Sequence, residues 1–284
     1  MISEDNLDSK VISDFGDEWA KYGYESNASS SELTLQFQKY SELVNFSEFD
    51  PKYSTAADFG AGTGRWAHFI LENFSQTHLV EPSDGAFRVL KDKFTNNKKV
   101  ILEHTTISNS KIQSASLDFA MSLGVLHHIS DTAQAFKDIN MKLKNGGLFL
   151  GYLYYKVENK PFLYRSAFSV ANFFRKRIST MPFYLKKKVC FVIAFLVYLP
   201  MAKIAKFLNS INLNTSNIPL HQYADLNFYM MKNDALDRFG TKLEKRYSKQ
   251  EISKLLLDSG FDPTSTIFSE SEPFWTFTAR KLIN

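Results

Sequence analysis

Thr55-Ala56-Ala57-Asp58-Phe59-Gly60-Ala61-Gly62-Thr63-Gly64-Arg65-Trp66 decides how the chain is read. A short apolar run ends in an acid, and three glycines then alternate over five positions. Trp66, Phe69 and Ile70 follow at helical spacing, so the stretch reads as a buried strand, a tight turn and a helix start. Glycines at such a junction let the backbone turn sharply and let a ligand approach amides that a Cβ would shield. The flanking strand and helix supply the context that a nucleotide-type site needs.

A dinucleotide fingerprint has the form G-x-G-x-x-G and sets a pyrophosphate on the helix N-terminus. Here the spacing is Gly60-x-Gly62-x-Gly64, preceded by Asp58. In this the sequence resembles the class I S-adenosylmethionine-dependent methyltransferases, whose first motif reads acid-x-G-x-G-x-G. The resemblance implies that Asp58, Gly60, Ala61, Gly62 and Gly64 meet the methionine end of S-adenosylmethionine, which carries no phosphate.

Thr77 to Glu81 reads as a second strand ending in an acid, about 20 residues past the turn, where a carboxylate meets ribose hydroxyls. Two carboxylate oxygens suit a vicinal diol; a solvated strand-end acid is the plainer reading. Ser83 can cap a helix through Phe87, Leu90 and Phe94. Val100-Ile101-Leu102 is a short third strand. The family places an acid shortly after it for the adenine amino group, whereas this chain has Thr105-Thr106-Ile107-Ser108. Ser108 or a backbone carbonyl is the substitute on offer, so the implied cofactor residues extend to Pro82, Thr106, Ile107 and Ser108.

Ser116 to Ile129 is the second landmark: a buried strand, then Leu126-His127-His128, then an Asp131-to-Gln134 helix start resembling a capping box. The arrangement resembles the family's fourth-strand motif, which implies Leu123 and Gly124 at the cofactor and the histidines at the transfer site. His127 or His128 could take a proton from an acceptor, since histidine titrates near neutrality. Equally, one imidazole could brace the loop. No further ligands stand at metal spacing, so no metal site is expected.

Leu143-Lys144-Asn145-Gly146-Gly147 turns into a fifth strand from Leu148. Near the C-terminus, Ser248-Lys249-Gln250-Glu251 is a capping box, Ile252, Leu255 and Leu256 share a helix face, and Gly260 stops the helix. Thr264–Phe268 and Phe274–Ala279 read as a β-hairpin. Alternating strands and helices predict an α/β fold, a doubly wound sheet. The resemblance, over residues 50–156 and 240–284, implies a Rossmann-like sheet of seven strands, the last antiparallel, with a helical insertion after strand five. The expected divisions are an N-terminal helical arm over 1–48, the cofactor-binding core over 49–156, a helical lid over 157–235, and a helix and hairpin over 236–284. In the arm, Phe15 and Trp19 either close over the cofactor or simply pack. Asp234 to Gly240 resembles a linker of bacterial members.

The chain has 284 residues, a formal charge of +4 and one cysteine, Cys190. One cysteine excludes an intramolecular disulfide and a cysteine metal cluster. The N-terminus is acidic without an apolar signal core, and no apolar stretch is read as reaching the ~20 residues of a membrane span. The expected location is therefore cytoplasmic, with membrane contact left open. Abundant phenylalanine suggests an aromatic core or an apolar ligand pocket.

Between Asn159 and Ala224 there is no aspartate or glutamate, while Arg175-Lys176-Arg177 and Lys186-Lys187-Lys188 bracket Pro182-Phe183-Tyr184. Three readings stand: a helical element packing over the acceptor, a peripheral membrane element through 160–206, or a nucleic-acid contact. The third lacks any recognised module, so no nucleic acid is expected. The apolar run Val189–Pro200 is expected to be mostly buried. The function implied is methyl transfer from S-adenosylmethionine to a small-molecule or lipid-linked acceptor. The alternative is a non-catalytic cofactor-binding protein of the same fold.

Overall fold

A computed structural model describes residues 30–157, 160–215, 217–270 and 274–283. Phe15 and Trp19, and with them most of the expected arm, lie outside the described residues. The chain divides into two compact units, one of Met1–Tyr155 with Leu243–Asn284 and one of Lys156–Lys242.

In the first unit the strands are β1 Thr55–Phe59, β2 Gln76–Val80, β3 Val100–Glu103, β4 Leu117–Leu123, β5 Leu143–Tyr154, β6 Ile267–Phe268 and β7 Phe274–Arg280. They form one seven-stranded sheet in the order β3-β2-β1-β4-β5-β7-β6. The first five strands are parallel, and β7 runs antiparallel to both β5 and β6. Chain order reverses between β1 and β4. In open α/β sheets ligands settle outside the carboxyl ends of the strands at such a switch.

Helices α1 Ser30–Tyr40, α2 Ala67–Ile70, α3 Asp84–Phe94 and α4 Thr132–Lys142 belong to this unit. Ser83 caps α3 through the Ala86 amide. Asp131 caps α4 through the Gln134 amide, but Gln134 spends its side chain on Asp138, so the box is half made. The phenylalanines form the core. Phe74 stacks on Phe119 at 5.5 Å, and Phe136, Phe149, Phe261 and Phe277 pack together with no exposure. The hairpin is shorter than the sequence suggests, because Asp262 caps a 3-10 turn over Pro263–Ser265 before β6 begins.

The second unit holds α5 Phe162–Ile178, α6 Phe183–Ile193, α7 Leu199–Ser210 and α8 Phe228–Gly240. The stretch resembling a linker, Asp234–Gly240, is instead the end of α8. Its Ala235, Leu236 and Phe239 are buried, because their helical spacing builds that unit's own core.

Two further expectations are corrected in this unit. A π-helical turn, Ala194–Tyr198, joins α6 to α7, giving one continuous 28-residue helix over Phe183–Ser210, long and apolar enough to cross a membrane. Within an α-helix the Pro200 ring would clash with the carbonyl four residues back, and proline has no N–H to give. The widened turn just before it removes that conflict, so the helix continues. Nor is Val189–Pro200 mostly buried: only Cys190, Ala194 and Tyr198 are, while Phe191, Val192, Phe195, Leu196 and Val197 are exposed.

Candidate active site

The turn after β1 is built by three left-handed glycines with φ of +80°, +56° and +80° at Gly60, Gly62 and Gly64. A Cβ on Gly60 would lie 2.5 Å from Val125, and one on Gly64 2.3 Å from Phe94. These two glycines let neighbouring segments close on the turn. Gly62 differs, for a Cβ there meets nothing within 4 Å. Its face is open, which is the space a ligand would use.

The Gly60 and Ala61 amides donate to the Val80 carbonyl, tying the turn to the end of β2. Glu81, next along, accepts from the amides of Gly62 and Ser83, each at 2.8 Å. Asp58 is buried at the end of β1, and its Oδ2 has no hydrogen-bond partner among the described residues. A buried carboxylate oxygen without a partner is costly and asks for a ligand or a proton. Burial, with the nearby Glu81 charge adding, pushes Asp58 up to about 8. Burial pushes Glu81 up to about 7, against the pull of its two amides.

This raises a pH expectation. Unfolded aspartate and glutamate titrate near 4. Between pH about 4 and about 8 the folded chain therefore holds protons that the unfolded chain has released, and stability falls as pH rises through that window. Without ligand, Asp58→Asn should gain on the native protein by up to about 1.4 kcal/mol per pH unit as pH rises there. Thermal unfolding of both at several pH values reads this directly. A difference in melting temperature that ignores pH would show Asp58 to be ionised in the fold.

The other residues singled out in sequence fall at neighbouring strand ends. Leu123 ends β4, with Gly124 at φ +79° beyond it, and Pro82 is half-buried beside Glu81. Thr106, Ile107 and Ser108 follow β3. There the Ser108 hydroxyl donates to Asp138 Oδ2 at 2.5 Å, while Thr106 Oγ1 accepts from the Asn109 amide. The acid at that end, Glu103, is taken up by His78 Nδ1 at 2.9 Å and the Lys111 amide, which hold it below its usual range despite burial.

Leu126-His127-His128 forms a 3-10 turn after β4. His128 Nδ1 donates to the Leu243 carbonyl at 2.7 Å, a bracing bond. His127 is fully buried and its ring nitrogens have no hydrogen-bond partner among the described residues. It stacks on Tyr154 at 3.9 Å, with Tyr152 at 6.0 Å. Burial holds it well below the usual histidine range, with the charges of His128 and Arg246 adding, so it is neutral.

Two parts of this cluster were not found by sequence reasoning. Residues 243–247 strap the histidine turn: the Lys245 amide donates to the His127 carbonyl, the Tyr247 hydroxyl to Thr132, and Arg246 lies 5.0 Å over the Tyr154 ring. From α1, Phe37 and Tyr40 pack on Trp66, and Tyr40 stacks on Tyr152 at 5.3 Å. Only the alternation of Tyr152 and Tyr154 on β5 hinted at it, by placing both rings on one face of a strand.

The family model for a methyltransferase domain matches residues 57–149, which contain the glycine turn, Glu81 and the histidine pair. No curated protein sequence matches. Among solved structures, the Haloferax volcanii complex of the Trm112 methyltransferase activator and a protein described as a methyltransferase is similar at 9% identity and a TM-score of 0.52, covering 93% of this chain and 97% of that one. A Bacillus halodurans protein described as a methyltransferase is similar at 10% identity and a TM-score of 0.51, covering 86% of this chain and 99% of that one. At these identities the likeness is one of fold.

Proposed function

We propose that the chain, a methyltransferase of the class I fold by its matched domain and sheet order, takes its methyl group from S-adenosylmethionine held at the carboxyl ends of β1, β2 and β4. One observation carries this: a buried, unpartnered Asp58 oxygen and an open-faced Gly62 at the same turn. The residues fit the cofactor. Gly60, Ala61, Gly62 and Gly64 would carry its methionine end, and Asp58 would complement its positive charge. Glu81 would accept from the ribose hydroxyls, while Pro82, Thr106, Ile107, Ser108, Leu123 and Gly124 would flank the adenosine. When bound, the cofactor supplies a methyl group made electrophilic by a sulfonium.

The chain's own work is orientation, exclusion of water and management of a proton. Acceptor chemistry belongs at the Tyr152, Tyr154 and His127 cluster, whose rings suit an apolar or aromatic small molecule, free or lipid-linked. His127 is neutral, the state that accepts a proton. Because it is fully buried, an acceptor reaches it only when the segments around it move aside. His128 braces the turn.

Formation of S-adenosylhomocysteine with a panel of apolar acceptors tests the reading, and calorimetry with S-adenosylmethionine and NAD tests the cofactor. Binding should be tightest above pH 8, where both carboxylates are ionised, and weaken by up to about tenfold per proton taken up for each pH unit below. Glu81→Gln should cost about 1.5–3 kcal/mol of cofactor affinity, the range for a hydrogen bond to a charged group, with the fold retained. Unchanged affinity with lowered stability would make Glu81 structural. A second reading, a silent cofactor binder, draws on the complete burial of His127. Tight cofactor binding with no product from any acceptor would favour it.

A further inference from the structure

The 28-residue helix Phe183–Ser210 has an unusual cross-section. Its buried positions are Lys186, Cys190, Ala194, Tyr198, Ala202 and Ala205, a single narrow stripe at three- and four-residue spacing. Its first part, through the π turn, packs on α8 of the same unit, helped by Phe191 and Phe195 against Phe228 at 5.7 and 6.3 Å, while its last part meets the turn His221–Tyr223. Outside the stripe a soluble helix would turn polar. This one instead exposes Phe195 by 52%, Leu196 by 63% and Phe207 by 64%, together with Val192, Val197 and Ile204.

The charges are arranged with equal bias. Val189 to Ala202 contains no charged residue, Lys187 and Lys188 stand before it, and Lys203 and Lys206 after it, all exposed. Lys188 lies over the Tyr184 ring at 4.4 Å, and Lys206 pairs with Asp225 at the surface. From Lys160 to Ala224 the unit has no acid at all, so its surface field is positive there.

An apolar face flanked along its own helix by lysines complements an anionic bilayer, whose acyl chains take the rings and whose headgroups take the ammonium groups. Spanning is disfavoured by where the charges fall, not by the length of the whole helix. The charge-free segment rises about 21 Å at about 1.5 Å per residue, short of a hydrocarbon core of about 30 Å. One side is also held by α8, which carries Asp234, Asp237 and Arg238.

We infer that helix Phe183–Ser210 seats the protein on an anionic lipid bilayer, lying along the interface with Phe191, Val192, Phe195 and Leu196 inserted among the acyl chains. The inference goes beyond methyl transfer and does not depend on the cofactor site.

The experiment is flotation of the full chain with vesicles of phosphatidylcholine alone or mixed with phosphatidylglycerol, from about 0.05 to about 0.5 M salt. Binding should favour the anionic vesicles and weaken with salt as the Debye length shortens from above 10 Å to below it, yet persist in part because apolar insertion is not screened. Val192→Glu with Leu196→Glu, both exposed and so compatible with folding, should reduce partitioning by roughly tenfold or more. Lys187→Glu with Lys188→Glu should remove much of the anionic preference. A tryptophan introduced as Leu196→Trp should be quenched by lipids brominated in the acyl chain. The inference is overturned by absence of binding, by attachment that salt abolishes and Val192→Glu with Leu196→Glu leaves intact, or by a soluble dimer in sedimentation velocity that the same double variant dissociates.

Discussion

Gly62→Val is expected to leave a folded protein whose affinity for S-adenosylmethionine is reduced on the order of 100-fold. The two halves of that expectation come from different observations. A Cβ at Gly62 meets no protein atom within 4 Å, so the fold bears only the strain of a β-branched residue at φ +56°, about 1–2 kcal/mol. The side chain then fills the face a ligand would use, and overfilling a fitted space costs typically about 1–3 kcal/mol, the upper part of which is about 100-fold. Gly64→Val is the control with the opposite signature. Its Cβ would lie 2.3 Å from Phe94 and 2.9 Å from Leu90, at φ +80°. Overpacking and strain together should remove about 3 kcal/mol of stability, seen in thermal unfolding before any ligand is added. If Gly62→Val binds the cofactor like the native chain, the site lies elsewhere. If it unfolds as Gly64→Val does, the open face is not open.

The contrast among the glycines also shows where sequence reading reaches. Alternating glycines after an apolar strand announce the turn because the determinants are local: a short strand, positive φ, a following helix. Which glycine faces a ligand is set by what stands opposite. Val125 against Gly60 and Phe94 against Gly64 are separated from them by tens of residues. The alternation of strands and helices was legible for the same local reason, since each carries its own pattern, as were the Ser83 and Ser248 caps, whereas the seventh, antiparallel strand came only from the family resemblance.

What was not legible depended on non-local partners. Glu103 looks unremarkable until His78, two residues along β2 from its register partner Val80, takes its carboxylate. Asp234–Gly240 looks like a connector because its burial comes from within a separate helical unit. The helix continues past Pro200 through the π turn before it, which no local pattern announces. The strap over His127 escaped notice for a simpler reason. Leu243 and Lys245 meet the histidine turn through backbone groups, and backbone groups carry no sequence signature.

His127→Ala is expected to lower turnover by about 10²–10⁴-fold while cofactor affinity is retained, the range for loss of a general base. A buried histidine also packs, and loss of its stacking on Tyr154 at 3.9 Å should cost a further ~0.5–1.5 kcal/mol of stability. Stability alone therefore does not separate base from brace, and the pH profile does. With His127 held well below its usual range by burial, a base at this position keeps activity from neutrality down into mild acid, with no loss of rate near pH 6.5. His128→Ala should behave differently: it leaves the Leu243 carbonyl without its donor and costs about 1–3 kcal/mol where that carbonyl is buried, with turnover falling only as the turn loosens. Full turnover in a folded His127→Ala protein would remove the base and leave orientation by the tyrosine cluster as the whole of the chain's contribution to methyl transfer.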